Sequence, residues 1–84
     1  MGFEWDEDKN QRNIEKHGID FTDAPEIWRE APVQIARRAR GGEERITAIA
    51  SFRGQYIAVT YTERGGNVRL ISARRANRKE RPHR

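Results

Sequence analysis

The stretch Val68-Arg69-Leu70-Ile71-Ser72-Ala73-Arg74-Arg75-Ala76 reads as a strand that ends in paired arginines. Side chains of an extended chain alternate between two faces, so Val68, Leu70, Ser72 and Arg74 are expected on one side and Arg69, Ile71, Ala73 and Arg75 on the other. Both faces then carry apolar residues. A strand covered on one side only would show a clean polar face, so this one belongs near the middle of a sheet, with helices against one side. Its arginine-rich end should open onto solvent. A guanidinium held by a rigid strand offers phosphate a planar fork of donors.

Working outward, the preceding segments are strands joined by short turns. Tyr56-Ile57-Ala58-Val59-Thr60-Tyr61-Thr62 reaches the first strand through Glu63–Asn67, whose Gly65-Gly66 pair marks a turn. Arg45–Phe52 precedes it, across Arg53-Gly54-Gln55. Val33–Arg37 comes earlier still, followed by a loop from Arg38 to Glu44 with Gly41-Gly42 inside it. Links this short make an antiparallel meander.

The first thirty residues are helical in character. Phe3-Glu4-Trp5 alternates like a short strand, and Asp6 fits a helix N-cap, with Glu7 and Asp8 where the helix dipole favours negative charge. The helix runs from Glu7 to His17 and stops at Gly18. Its only aliphatic anchor is Ile14, so Asn10, Asn13 and His17 are expected to form a polar edge facing a cleft. A second helix follows Asp23, where Glu26 completes a capping-box pattern and Pro25 is tolerated in the first turn. Pro32 ends it. Asn77 and Glu80 repeat the capping-box spacing near the end of the chain, where Pro82 leaves the tail little room for a helix.

The chain has 84 residues, enough for one domain over 1–84 with a basic tail at 77–84 and a single layer of core side chains. It has no cysteine, hence no disulfide framework, and no apolar run long enough for a membrane span or signal sequence. The expected compartment is the cytoplasm. Charge is divided sharply: residues 1–30 sum to −5 and residues 31–84 to +9. A basic half rich in arginine favours a polyanion, and nucleic acid is the commonest.

The pieces Phe3-Glu4-Trp5-Asp6, Lys16-His17-Gly18-Ile19, Phe21, Gly42-Glu43-Glu44-Arg45, Tyr61-Thr62-Glu63-Arg64-Gly65 and Arg69–Ala76, taken together and in order, resemble the BrnT family. The resemblance implies an α+β, RelE-like fold with two N-terminal helices packed on a twisted antiparallel sheet. It also implies a toxin of a type II toxin–antitoxin system that arrests growth by cutting RNA. Its neutralising partner would be a ribbon-helix-helix (BrnA-like) antitoxin encoded beside it, the complex binding operator DNA. The chain departs from the family at the arginine-rich Arg38–Arg40 and at the short tail, Pro82-His83-Arg84.

RNA cleavage without metal requires a base for the 2′-hydroxyl, an acid for the leaving 5′-oxygen and cations around the phosphate. No metal site or other cofactor is expected, because two histidines and no cysteine give no zinc spacing. The catalytic candidates are Lys16, His17, Arg64, Arg74 and Glu80. Adjacent helix positions diverge by about 100°, so only one of Lys16 and His17 can face the phosphate. Arg64 and Arg74 are expected to share one phosphate across the β pairing, and Glu63 is a weaker acid–base candidate. Arg45, Arg69, Arg75 and Arg78 are the candidate RNA contacts, whereas Tyr61, in phase with Ile57 and Val59, belongs to the core. An antitoxin is expected to cover the sheet edge at Arg64, Arg69, Arg74 and Arg75. The other reading is a nucleic-acid-binding module or co-repressor that cleaves nothing and needs the arginines alone.

Overall fold

The computed structural model describes residues 2–82. The chain runs β1 (Phe3–Glu4), α1 (Glu7–His17), a 3₁₀ turn (Phe21–Asp23), α2 (Ala24–Arg29), β2 (Val33–Arg40), β3 (Glu43–Phe52), β4 (Gln55–Arg64) and β5 (Asn67–Arg75). The fold is α+β: two helices lie on one five-stranded sheet of order β1-β5-β4-β3-β2.

Two expectations about this sheet need correction. It is mixed, because β1 pairs parallel to β5 through Phe3 opposite Val68 and Glu4 opposite Arg69. Parallel neighbours need a long connection, and here nearly the whole chain supplies it. The helices also do not open the chain. They follow β1 and carry the backbone from one edge of the sheet to the other, where β2 starts the antiparallel meander.

The meander turns are tighter than expected. β2 extends to Arg40, so the Arg38–Glu44 loop shrinks to Gly41-Gly42, and Gly65-Gly66 alone joins β4 to β5. Both turns have positive φ at both positions, as does Arg53-Gly54 between β3 and β4. Such two-residue turns match the right-handed twist of the strands they join.

One face of the sheet carries the core. Phe21, Ala24 and Ile27 press onto Ile46, Ala48, Ile57, Val59, Val68 and Leu70, all buried. Trp28 stands edge-on between Phe3 and Tyr61, with ring centroids 5.2 and 5.1 Å away, so Tyr61 is a core residue.

α1 is held to this face by amides more than by apolar contact. Asn10 and Asn13 are buried, contrary to the expected cleft edge. The Asn10 Oδ1 accepts from Phe21 N–H at 2.8 Å, while its Nδ2 donates to Asp20 at 3.0 Å. The Asn13 Nδ2 donates to Ile19 O and Ala73 O, each at 2.9 Å, and its Oδ1 accepts from Ala73 N–H at 3.0 Å. β1 covers β5 only as far as Arg69, so the Asn13 amide stands in for the missing strand at Ala73.

A bulge reorganises β5. Tyr61 lies opposite Leu70 and Thr60 opposite Ser72, leaving Ile71 unpaired. The extra residue shifts the alternation by one. Ala73 and Arg75 therefore join Val68 and Leu70 on the helix side, while Ser72 and Arg74 face the other way, with Arg69. The expected division of this strand holds up to Leu70 and reverses after it.

Candidate active site

The end of α1 is fixed at both the cap and the packed face. The Asp6 carboxylate accepts from Asp8 and Lys9 N–H, which lowers its pKa. Gly18, left-handed at φ 74°, closes the helix by donating to Ile14 O. His17 is thus the last helical residue, one turn beyond Asn13 on the same side. Four helical residues rise about 6 Å and two strand residues about 6.8 Å. A helix pinned at Asn13 to Ala73 accordingly brings His17 beside Arg75.

These two side chains line one cleft of about 340 Å³, together with Phe52, Arg53, Gln55 and Ile57. Arg75 reaches it because β5 pairs Arg75 with Ile57 on the helix side, a consequence of the bulge. Arg53 enters from the β3–β4 turn, its guanidinium 2.9 Å from Glu26 and 3.4 Å from Asp23. The hydrogen bond with Glu26 raises the Arg53 pKa and lowers that of Glu26. Asp23 and Glu26 thus serve this ion pair, and Asp23 makes no side-chain cap for α2. Arg75 has no ion pair among the described residues. An imidazole beside an uncommitted guanidinium can move a proton next to a bound phosphate.

The remaining candidates are dispersed. Lys16, next to His17, is exposed and outside the cleft, as the helical divergence requires. Arg74 faces the opposite side of the sheet from Arg75 and makes a two-point pair with Glu80, at 2.7 and 2.9 Å. The Glu80 carboxylate also accepts from Asn77 N–H, while Asn77 Oδ1 accepts from Glu80 N–H: the expected capping box forms, around a turn rather than a helix. The Arg74 hydrogen bond holds the Glu80 carboxyl below its usual range. Of the 77–84 tail, His83 and Arg84 lie outside the described residues.

Arg64 and Arg74 cannot share a phosphate. In the β4–β5 pairing Arg64 lies opposite Asn67 and Arg74 opposite Ala58, roughly 20 Å apart along the strands at about 3.4 Å per residue. Arg64 is instead 3.0 Å from Glu43, in a cleft with Glu44 and Glu63, acidic surroundings that disfavour an anion.

The open face of the sheet holds a second basic region. Arg45, with Arg38, Arg40, Thr47 and Thr60, lines a cleft of about 370 Å³, and its Nε is buried without a hydrogen-bond partner. Arg69 on the same face is 3.4 Å from Glu4. Arg78 is exposed in the 77–80 turn. Sequence reasoning missed Arg53 and Gln55 at the cleft, having read them only as turn residues. It also placed Arg38 and Arg40 in a loop rather than on a strand.

A family model described as ribonuclease toxin, BrnT, of type II toxin-antitoxin system matches residues 5–80. Among solved structures, the chain is similar to the 1.1 Å crystal structure of the Brucella abortus ribonuclease toxin BrnT. The two are 36% identical, the match covers 93% of this chain and 99% of that one, and the TM-score is 0.76. No curated protein matches the chain.

Proposed function

Because the chain belongs to the BrnT family of ribonuclease toxins of type II toxin–antitoxin systems, we propose that it is a metal-independent endoribonuclease that cuts RNA in the cleft between His17 and Arg75. The observation that carries this reading is one cleft lined by both an imidazole and a guanidinium, the guanidinium having no ion-pair partner among the described residues. Arg75 grips the non-bridging oxygens of a phosphodiester. His17 takes the proton of the 2′-hydroxyl as that oxygen attacks phosphorus. The bond to the 5′-oxygen breaks, and the departing oxygen takes a proton from solvent, which the open cleft admits. One product ends in a 2′,3′-cyclic phosphate and the other in a 5′-hydroxyl.

The other expected site residues take lesser parts. Lys16, beside the cleft, and the exposed Arg78 act as contacts to the RNA backbone, and Arg45 and Arg69 serve the same purpose on the open face. Arg74 and Glu80 brace the end of β5, and Arg64 has its role with Glu43. The family reading extends to a RelE-like scaffold, cytoplasmic RNA as substrate, growth arrest, and a ribbon-helix-helix antitoxin whose complex with this chain binds operator DNA.

Purified protein incubated with RNA in EDTA should yield 2′,3′-cyclic phosphate ends. His17→Ala and Arg75→Ala should each slow cleavage by roughly 10² or more. A strict need for added Mg²⁺ excludes the mechanism. Unchanged cleavage by His17→Ala removes the imidazole from it. Binding without any cleavage favours the co-repressor reading.

A further inference from the structure

β2 ends the sheet, so one row of its backbone N–H and C=O groups has no strand beside it. An edge of this kind is a template for another strand. All eight residues of β2 are exposed, and Ile35 sits at a bulge, opposite no residue of β3. Val33, 65% exposed, and Ile35, 46% exposed, are the exposed large hydrophobics among the described residues. They border an apolar groove of about 450 Å³ whose other walls include Ile49, Tyr56 and Pro82. Past this groove the same edge turns basic. Arg37 is engaged by Glu44, but Arg38 and Arg40 have no ion-pair partners among the described residues.

We propose that the β2 edge is the docking site for an extended segment of the antitoxin, which adds a strand there, seats apolar side chains in the groove and sets acidic side chains against Arg38 and Arg40. The proposal rests on the toxin–antitoxin reading above, and it moves the partner from the expected arginines of β4 and β5 to the opposite edge of the sheet. Charge selects this occupant over a second copy of the chain. A second copy would bring its own Arg37, Arg38 and Arg40 and no acidic residue to this edge: paired antiparallel along its full length, β2 sets Arg38 opposite Ile35 and Arg40 opposite Val33, so neither arginine gains a counter-charge. An acidic strand turns the same residues into attraction. Backbone pairing supplies affinity while the groove selects side chains. For a segment antiparallel to β2, the acidic residues precede the apolar ones in sequence.

The test is a titration of the full chain with the antitoxin protein encoded beside it. Ile35→Asp, a change at an exposed position, should raise the Kd about tenfold or more while RNA cleavage by the free protein stays within about twofold. The double variant Arg38→Glu, Arg40→Glu should raise it most at low salt, with the difference shrinking as salt screens the charges. If the wild-type chain binds the antitoxin and both variants bind it equally well, the docking site is elsewhere while the toxin–antitoxin reading stands. If the wild-type chain does not bind at all, that reading fails along with the site. A dimeric wild type made monomeric by Ile35→Asp gives the edge to a second copy. Lost RNA cleavage in folded Ile35→Asp gives it to RNA. Either result overturns the proposal.

Discussion

Asn13 gives both ends of its amide to the backbone of Ala73 and a further proton to Ile19 O, so removing the amide leaves three buried backbone groups without partners. A stranded buried donor or acceptor costs about 1–3 kcal/mol. Asn13→Leu should therefore lower stability by about 2–4 kcal/mol in urea titrations, although leucine is the better helix former. A loss below about 1 kcal/mol means the clamp is dispensable. Glu80 makes a different prediction, through pH. Its folded pKa is depressed by Arg74 and by Asn77 N–H, so its contribution is present above the unfolded carboxyl value near 4.3 and disappears as pH falls through the folded value. Glu80→Gln should be less stable than wild type at pH 7, with the two melting curves converging as the solution is acidified below about pH 4. A gap that persists in acid assigns the effect to the capping geometry alone. Sequence reading names His17 among its catalytic candidates, and the structure has it lining the end cleft. The same reading ranks Arg74 above Arg75 because alternation is counted along an unbroken strand, and no glycine or proline announces the bulge at Ile71.

Strands and turns were legible because their signals are local: paired glycines at Gly41-Gly42 and Gly65-Gly66, and apolar runs between them. The parallel pairing of β1 with β5 was not, since it joins Phe3 to Val68 and leaves no local mark. The β3–β4 turn shows the same limit. Arg53 was read as a turn residue, yet it adopts φ 49°, an unusual conformation for a side chain, and reaches back to Glu26 and Asp23 near the start of α2. At Gly66 the positive φ of 82° is met by glycine, and a Cβ there would touch nothing within 4 Å. Gly66→Ala therefore tests the turn alone. It should cost about 1 kcal/mol of backbone strain, lowering Tm by about 4–8 °C for a domain of this size, and leave RNA cleavage at the far end of the sheet unchanged. An equal effect on cleavage means the two ends of the sheet are coupled.

Across the whole molecule, the acidic first third and the basic remainder meet at only a few points. Arg53 pairs with Asp23 and Glu26, and Arg69 pairs with Glu4. Among the described residues Arg38, Arg40 and Arg75 have no ion-pair partner and Arg45 has only a distant one, Glu43 at 3.9 Å; these four fall into two regions, Arg75 at the end cleft and the other three on the open face. If an RNA strand occupies both, its affinity should fall with salt according to the number of phosphates neutralised. Each phosphate contact on a single strand contributes about 0.7 to the slope of log K against log salt. Arg75→Ala and Arg45→Ala should then each flatten the slope by about that amount, and the double variant by about twice as much. Arg64→Ala should leave it unchanged, since its guanidinium already belongs to Glu43 in an acidic cleft. The measurement is binding of a short RNA to each protein across a salt series, with His17→Ala as the background so that cleavage does not intervene. A slope that responds to Arg75 and ignores Arg45 confines the RNA to the end cleft. A slope that responds to Arg64 means that the ion pair with Glu43 does not keep its guanidinium from the RNA.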